Sequence, residues 1–393
     1  MEGSVGPCRA ACDLVVHMGV DVLPIIAATE GIRGAVDWLS APQRLFPLAV
    51  AVLATSLIAY RRWTRPPIAA CLGAVIAAAY IAALCDAVFF RAASRPDSVP
   101  ITLLLVMLAV GLWIGLRRAA LNDQRRRDGL PLLEGRADNQ VLTWPHLLAI
   151  ELVATLICMT LLLVWSILVR APLEPPASPY TAPNPAKAPW YFLGLQELLV
   201  YFDPWIAGVL VPVLIVLGLC AIPYLDRNPN GNGYYTLRER PFAVALFLSG
   251  FVLLWLLPII VGTVLRGPNW ACFGPFESWD PHRPALTAHV NLSELFWVHG
   301  LGRTPPEAGS GAAAGCILRE APGLCLLVLY FLLPPWLLKR TVFRATYPQM
   351  GLARYAIAMF LLAAMFLVPI KMLLRWCFNL KYIVTFTEWS LSI

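Results

Sequence analysis

The sequence predicts an all-α, polytopic membrane protein with about eight transmembrane helices and a short interfacial helix in the loop 170–205. Three observations carry that prediction. The 393 residues are 59% hydrophobic and only 13% charged, against roughly a quarter charged in ordinary soluble domains. Apolar residues gather into recurring stretches near the ~20 positions that cross ~30 Å of hydrocarbon. Basic residues collect in alternate loops, the pattern of a chain threaded through a bilayer. Helices are the spanning form open to such segments, because isolated strands would leave backbone groups unpaired in lipid.

Residues 1–45 form an external or interfacial segment. Asp13, His17, Asp21, Glu30, Arg33 and Asp37 interrupt it, so the basic start and clean apolar core of a cleavable signal peptide are missing. An amphipathic segment lying on the membrane surface fits instead. Residues 46–118 make a three-helix extension with spans at 46–60, 68–90 and 101–116. The third is short enough for a tilted or partly re-entrant path. The hydrophilic stretch 119–145 reads as a cytoplasmic linker. Five spans follow within 146–393, at 147–169, 206–225, 242–265, 322–338 and 355–374, with long loops at 170–205 and 266–321.

Eight spans place Arg61, Arg62 and Arg65, Arg125, Arg126 and Arg127, Arg238 and Arg240, and Lys339, Arg340 and Arg344 on one side. That side should be the cytoplasm, with both termini and the two long loops outside. Lys371, Arg375 and Lys381 fit this poorly, which leaves the last helix free to bend onto the surface instead of crossing fully. The net charge of +7 is accounted for by these loops, and no nucleic-acid patch is left over.

Ten cysteines are present without metal-ligand spacing and without Cys-x-x-Cys-His. Cys8 with Cys12, and Cys272 with Cys316, lie on the outer side and could form disulfides. His17, His146, His282, His289 and His299 all fall outside or at the edge of the spans. A membrane haem b needs axial ligands facing each other inside the bilayer, so no haem held by histidine pairs is expected in this chain. His289, His299 and Glu294 could make a surface metal site, but a solvated loop with aromatic anchors is favoured. Glu151 is shallow in its span and should reach the headgroups, and Lys187 should snorkel beside the short helix.

The most informative stretch is 170–203, RAPLEPPASPYTAPNPAKAPWYFLGLQELLVYFD. Its proline-rich first part must run extended. Pro189 suits a first helical turn, and the following residues fit a short amphipathic helix at the interface. Asp203-Pro204 is a helix-start pair. Seven-residue spacing places Trp190 and Glu197 on one face of that short helix, with Tyr191 adjacent. A flat aromatic surface edged by a hydroxyl and a half-withdrawn carboxylate suits a lipid-soluble quinol, whose protons need an acceptor. The alternative is an anchoring helix with Glu197 simply facing the headgroups.

The order of long span, proline-rich loop, Trp-Tyr at a short helix and second span resembles the C-terminal domain of cytochrome b. That domain is a separate chain, subunit IV, in cytochrome bf complexes and related bacterial menaquinol–cytochrome c reductases. PNPAKAPWYFLGLQELL, AIPYLDRNPNGNGYYTLRERPFA, RGPNWACFGPFESWDPHR and FNLKYIV resemble those variants, over about 145–385. The resemblance implies a haem-free subunit in a bacterial inner membrane, forming part of an external site where quinol (menaquinol by type) is oxidised. It implies a dimeric complex with a haem-b-carrying cytochrome b, a Rieske 2Fe-2S protein and a multihaem cytochrome c as partners, alongside membrane lipid. The family's Pro-Glu-Trp-Tyr motif falls on Ala188, Pro189, Trp190 and Tyr191. Trp190, Tyr191 and Pro189 thus become quinol-site residues, and proline stands where the family has its proton-accepting glutamate. Glu197, the nearest carboxylate on the same helix, is the candidate replacement. The competing reading is a haem-free anchor of another quinone-linked complex. A transporter has little support, since the spans lack paired buried charges and corresponding interrupted helices.

Overall fold

The computed structural model describes residues 22–95, 98–136, 141–169, 176–226, 233–284, 289–306, 313–387 and 391–393. Cys8, Cys12 and His17 lie outside the described residues. The chain is a multi-pass, mainly helical membrane protein; among the described residues there are seven long apolar helices and one bent pair. The bent pair comes first. Helix α1 (Val22–Leu39) meets α2 (Pro42–Ile58) at 86°, with Pro42 opening the new helix. A perpendicular lead-in of this kind is how a surface-lying segment would join a span.

Helix α3 (Pro66–Leu84) ends earlier than the expected 90. Asp86 accepts backbone hydrogen bonds from Val88 (2.8 Å) and Phe89 (3.0 Å), and this cap starts a separate short helix α4 (Ala87–Ala93). Helix α5 (Ser98–Arg127) is one continuous rod, neither short nor re-entrant. It extends into the stretch expected to be a linker because Asn122 and Asp123, near its end, are fully buried and partnered.

Helix α6 (Thr143–Leu168) is wholly lipid-type in character, and every residue of Leu148–Leu168 is exposed, Glu151 included. Helices α8 (Ile206–Leu225) and α9 (Pro241–Leu265) follow the expected 206–225 and 242–265 closely; between α6 and α8 sits a short helix α7 (Leu193–Leu198). Asp203 Oδ1 accepts from the Trp205 backbone at 3.0 Å, capping α8 as expected. α9 contains wide π-type turns at Ser249–Leu256 and Val261–Leu265, flanking Pro258, whose missing N–H breaks the regular ladder.

Helix α10 (Ala313–Arg340) starts well before the expected 322. Its first turns carry Arg319 and Glu320, which a lipid-facing helix could not hold. Glu320 is 2% exposed and accepts from the Thr385 backbone (3.0 Å) and Arg319 Nε (3.1 Å). The C-terminal segment therefore supplies the partners. Helix α11 (Tyr347–Phe378) is long enough to cross fully and does not bend away at its end. Arg375 is accommodated there by the Asn379 carbonyl (3.2 Å) and His289 Nδ1 (2.7 Å), which also takes His289 out of a free metal-ligand role. Beyond it, the chain folds back as a minimal antiparallel pair, β1 (Thr385–Phe386) and β2 (Leu391–Ser392). Cys272 and Cys316 are both free thiols, so the second suggested disulfide is not formed.

Gly323 on α10 is the close-approach point for this return. A Cβ there would collide with the Ile383 carbonyl and lie 2.8 Å from Val384 Cγ2. Gly323→Ala should displace the C-terminal segment and cost about 1–3 kcal/mol, as overpacking does. Faster trimming of residues 380–393 by carboxypeptidase would show it; wild-type trimming would mean the segment is not seated there.

The arginine-rich face is tied together by one carboxylate. Asp123 accepts from Tyr60 Oη (2.7 Å), Thr236 Oγ1 (2.5 Å), and the backbone N–H groups of Leu237 (3.3 Å) and Arg238 (3.1 Å). Next to it, Asn122 Nδ2 donates to Glu134 Oε2 (2.7 Å) and the Tyr235 carbonyl (3.0 Å). The three-helix extension is thereby joined to the loop between α8 and α9.

Candidate functional site

At the opposite face, the extended chain after Pro176 is held by a side-chain clamp. Gln196 Oε1 accepts from the Ala188 backbone (2.8 Å) and Gln196 Nε2 donates to the Ala186 carbonyl (2.7 Å). The amide thus supplies the donor and acceptor that a neighbouring strand would have given. Pro189 follows, exposed, with its carbonyl accepting from Phe192 (2.9 Å). Trp190–Phe192 form a tight 3-10 turn that leads into α7.

The turn decides which side chains share a face. The 3-10 turn ends at Phe192 and the α-helix begins only at Leu193, so Trp190 and Glu197 do not belong to one helix. Trp190 (37% exposed) and Tyr191 (48% exposed) stand outward, whereas Glu197 is 1% exposed and points inward. The expected common surface of Trp190 and Glu197 is not found. What stands outward is an aromatic ridge: Trp190 against Tyr191 edge-on at 5.7 Å, and Tyr191 against Phe192 at 4.6 Å.

The inner face of α7 lies directly on α9, and two glycines allow it. A Cβ on Gly194 would sit 3.2 Å from the Trp255 carbonyl, and one on Gly262 would sit 3.3 Å from the Leu193 carbonyl. Glu197 then meets Arg266, just past the end of α9. Arg266 Nε donates to Oε2 at 2.8 Å and Nη2 to Oε1 at 2.5 Å, a two-pronged buried pair, while Nη1 donates to the Trp270 carbonyl at 2.8 Å. Burial alone would lower the Arg266 pKa; the Glu197 charge and hydrogen bonds outweigh it, and the net shift is upward. The neighbouring Tyr201 hydroxyl is pushed up, first by burial and then by the Glu197 charge.

The Trp270 carbonyl is aimed by a turn in which both Asn269 (φ 56°) and Trp270 (φ 54°) are left-handed, a conformation rare for a bulky residue. Gly267 makes the turn possible, since a Cβ there would lie 2.6 Å from the Phe273 ring. Asn269 also reaches back to the ridge loop. It exchanges hydrogen bonds with Asn184 (3.0 and 2.7 Å) and donates to the Pro281 and Arg283 carbonyls. Lys187 does not snorkel outward: Nζ donates to the Thr263 carbonyl at 2.8 Å and lies 5.2 Å from the Trp279 ring.

Residues 176–269 match the family model for the C-terminal domain of cytochrome b, described as Cytochrome b(C-terminal)/b6/petD. Over this segment the chain is similar to the C-terminal domain of cytochrome b. No solved structure matches the chain. The matched segment begins in the extended loop, contains the ridge, α8 and α9, and ends in the turn after Arg266. It therefore encloses both the Trp190–Tyr191 ridge and the Glu197–Arg266 pair, while the three-helix extension and the C-terminal helices lie outside it. Of the expected site residues, Pro189, Trp190 and Tyr191 stay together at the surface, and Glu197 is withdrawn from them. Arg266 and Asn269 were not singled out from the sequence. An arginine immediately after a span, on the side otherwise poor in basic loops, was the available signal that a buried acid awaited it.

Proposed function

We propose that this chain is a haem-free membrane subunit of a quinol–cytochrome c oxidoreductase of the cytochrome bc or bf type. Its Trp190–Tyr191–Phe192 ridge forms one wall of the external quinol-oxidation site. The observation that carries this reading is the position of the ridge. Within the cytochrome b-type segment, three consecutive aromatic side chains stand exposed on a turn whose other side is clamped by Gln196 and buried against α9. Aromatic faces offer flat apolar contact to a quinol ring, and the Tyr191 hydroxyl offers a hydrogen-bond partner to a ring oxygen. The other wall, haem b and the Rieske 2Fe-2S centre belong to partner chains, which take the electrons; menaquinol is the expected substrate, a multihaem cytochrome c the expected acceptor subunit, and the complex dimeric. The ridge lies on the external side of a bacterial inner membrane, and the arginine-rich face on the cytoplasmic side.

Glu197 enters this reading as the anchor of the ridge. Both its oxygens are engaged by Arg266, and a proton-accepting role would require that buried pair to open. With proline at position 189, the proton leaves the quinol through Tyr191 and solvent at the exposed edge.

In the intact complex, Tyr191→Ala should lower kcat/KM for quinol at least about tenfold, a loss of ~1.4 kcal/mol, with complex yield unchanged. Tyr191→Phe separates the hydroxyl from the ring and should fall in between. Full activity in both variants would favour the competing reading of a haem-free anchor subunit.

A further inference from the structure

The N-terminal part of the chain, α1 together with the three-helix extension, reaches the far side of the ridge loop through the segment 273–279. From α1, the Asp37 carboxylate accepts from the Phe276 backbone at 2.9 Å. Gly274 leaves the room for this, because a Cβ there would collide with Asp37. From α4, Phe89 stacks on Phe276 with ring centroids 5.4 Å apart. Just after α4, the Arg95 guanidinium lies 4.3 Å from the Trp279 ring, the same ring that Lys187 meets at 5.2 Å from the ridge loop. Arg33 and Asp86, 3.1 Å apart, join α1 to the corner between α3 and α4, so these contacts act as one body.

A second contact runs directly to α7. Phe46 of α2 is buried in one cluster with Leu198, the last residue of α7, and with Tyr201 and Phe202 just after it. It also packs at 5.8 Å on Trp376 of α11, and Pro42, Leu45 and Phe46 line a small crevice shared with Glu197 and Tyr201. The extension therefore touches the ridge element from beneath, and touches the loop that holds it from the side.

We propose that the N-terminal extension is a positioning clamp for the Trp190–Tyr191 edge, with Asp37 as its outer latch and the Trp279 ring as the link to Lys187. The latch acts on the loop 273–279; its Trp279 ring faces Lys187, three positions before Trp190 and itself bonded to the Thr263 carbonyl, on the path of the chain into the 3-10 turn. Its consequence for catalysis rests on the quinol-site reading, but the clamp itself does not. Asp37 is not part of the quinol-binding surface, so its effect should be on the fit of the edge rather than on chemistry.

The test uses the intact complex purified through this chain, with Asp37→Ala and Asp37→Asn. The asparagine side chain can still accept from Phe276, so it should rescue. Amide hydrogen exchange over 184–192 is expected to rise at least threefold in Asp37→Ala and to stay near wild type in Asp37→Asn. KM for quinol should rise about threefold in the alanine variant alone, with kcat little changed. Unchanged exchange over 184–192 in Asp37→Ala would overturn the clamp, whatever KM does. Raised exchange with an unchanged KM would uphold the clamp and count against the ridge as the quinol wall.

Discussion

Glu197→Ala is expected to destabilise the protein by about 3–5 kcal/mol, the usual cost of stranding one charge of a buried pair. Arg266 would keep its charge at 6% exposure, with only the Trp270 carbonyl left as a partner. Glu197→Gln should recover part of the loss, since its oxygen can still accept from one arm of the guanidinium. The decisive comparison is the double variant Glu197→Leu/Arg266→Leu. Replacing both charges with apolar groups removes the desolvation cost with the attraction, so the double variant should be clearly more stable than either single one. Thermal unfolding of the detergent-solubilised complex, followed by the loss of this subunit, measures each of these variants. If Glu197→Ala unfolds like wild type while quinol oxidation collapses, the carboxylate is acting as a base and its anchoring role is wrong.

Asp123→Ala is expected to be the most damaging change at the arginine-rich face. Four donors converge on this carboxylate, which is 3% exposed. Its removal leaves the Thr236 and Tyr60 O–H groups and the Leu237 and Arg238 N–H groups without their acceptor. Hydrogen bonds to a charged group contribute about 1.5–3 kcal/mol each. Partial rescue by water at this face should leave a net loss of at least about 3 kcal/mol. Because the bonds join α5 to the loop before α9, the loss should be local before it is global. Trypsin cleavage after Arg238 should accelerate well before α9 itself becomes accessible. Cleavage at the wild-type rate would show that the loop is held by other contacts.

The spans were legible because a 20-residue apolar run has few alternatives in a chain this poor in charge. Their ends were not, and the reason is the same in each case. Asn122 and Asp123 in α5 and Glu320 in α10 look like the start of a loop, but each is a helical residue whose partner lies more than 60 positions away in sequence or in a loop not otherwise marked. For Asp123 the partners are Tyr60 and Thr236, and for Glu320 the backbone of Thr385. Hydropathy reads a polar residue as an exit from lipid, and cannot see that tertiary contacts have satisfied it.

The site divided along similar lines. The aromatic composition of Pro189–Trp190–Tyr191 was readable, and so was its exposure at an interface. The facing of Glu197 was not, because Trp190–Phe192 form a separate 3-10 turn ahead of α7 and the partner that holds the carboxylate inward, Arg266, lies 69 positions away. The basic residues that fitted the orientation badly were themselves informative. Lys371 is fully buried, and Arg375 is engaged by the Asn379 carbonyl and His289. Each of the two marks a packing site on α11.

The most direct test of the central claim is a reduced-minus-oxidised visible spectrum of the complex purified in mild detergent through a tag on this chain. The account predicts b-type haem bands carried by a co-purifying cytochrome b, absent from the chain once that partner is stripped away. A preparation that keeps its native partners and shows no haem protein, or haem b bands that stay with this chain alone, would contradict it.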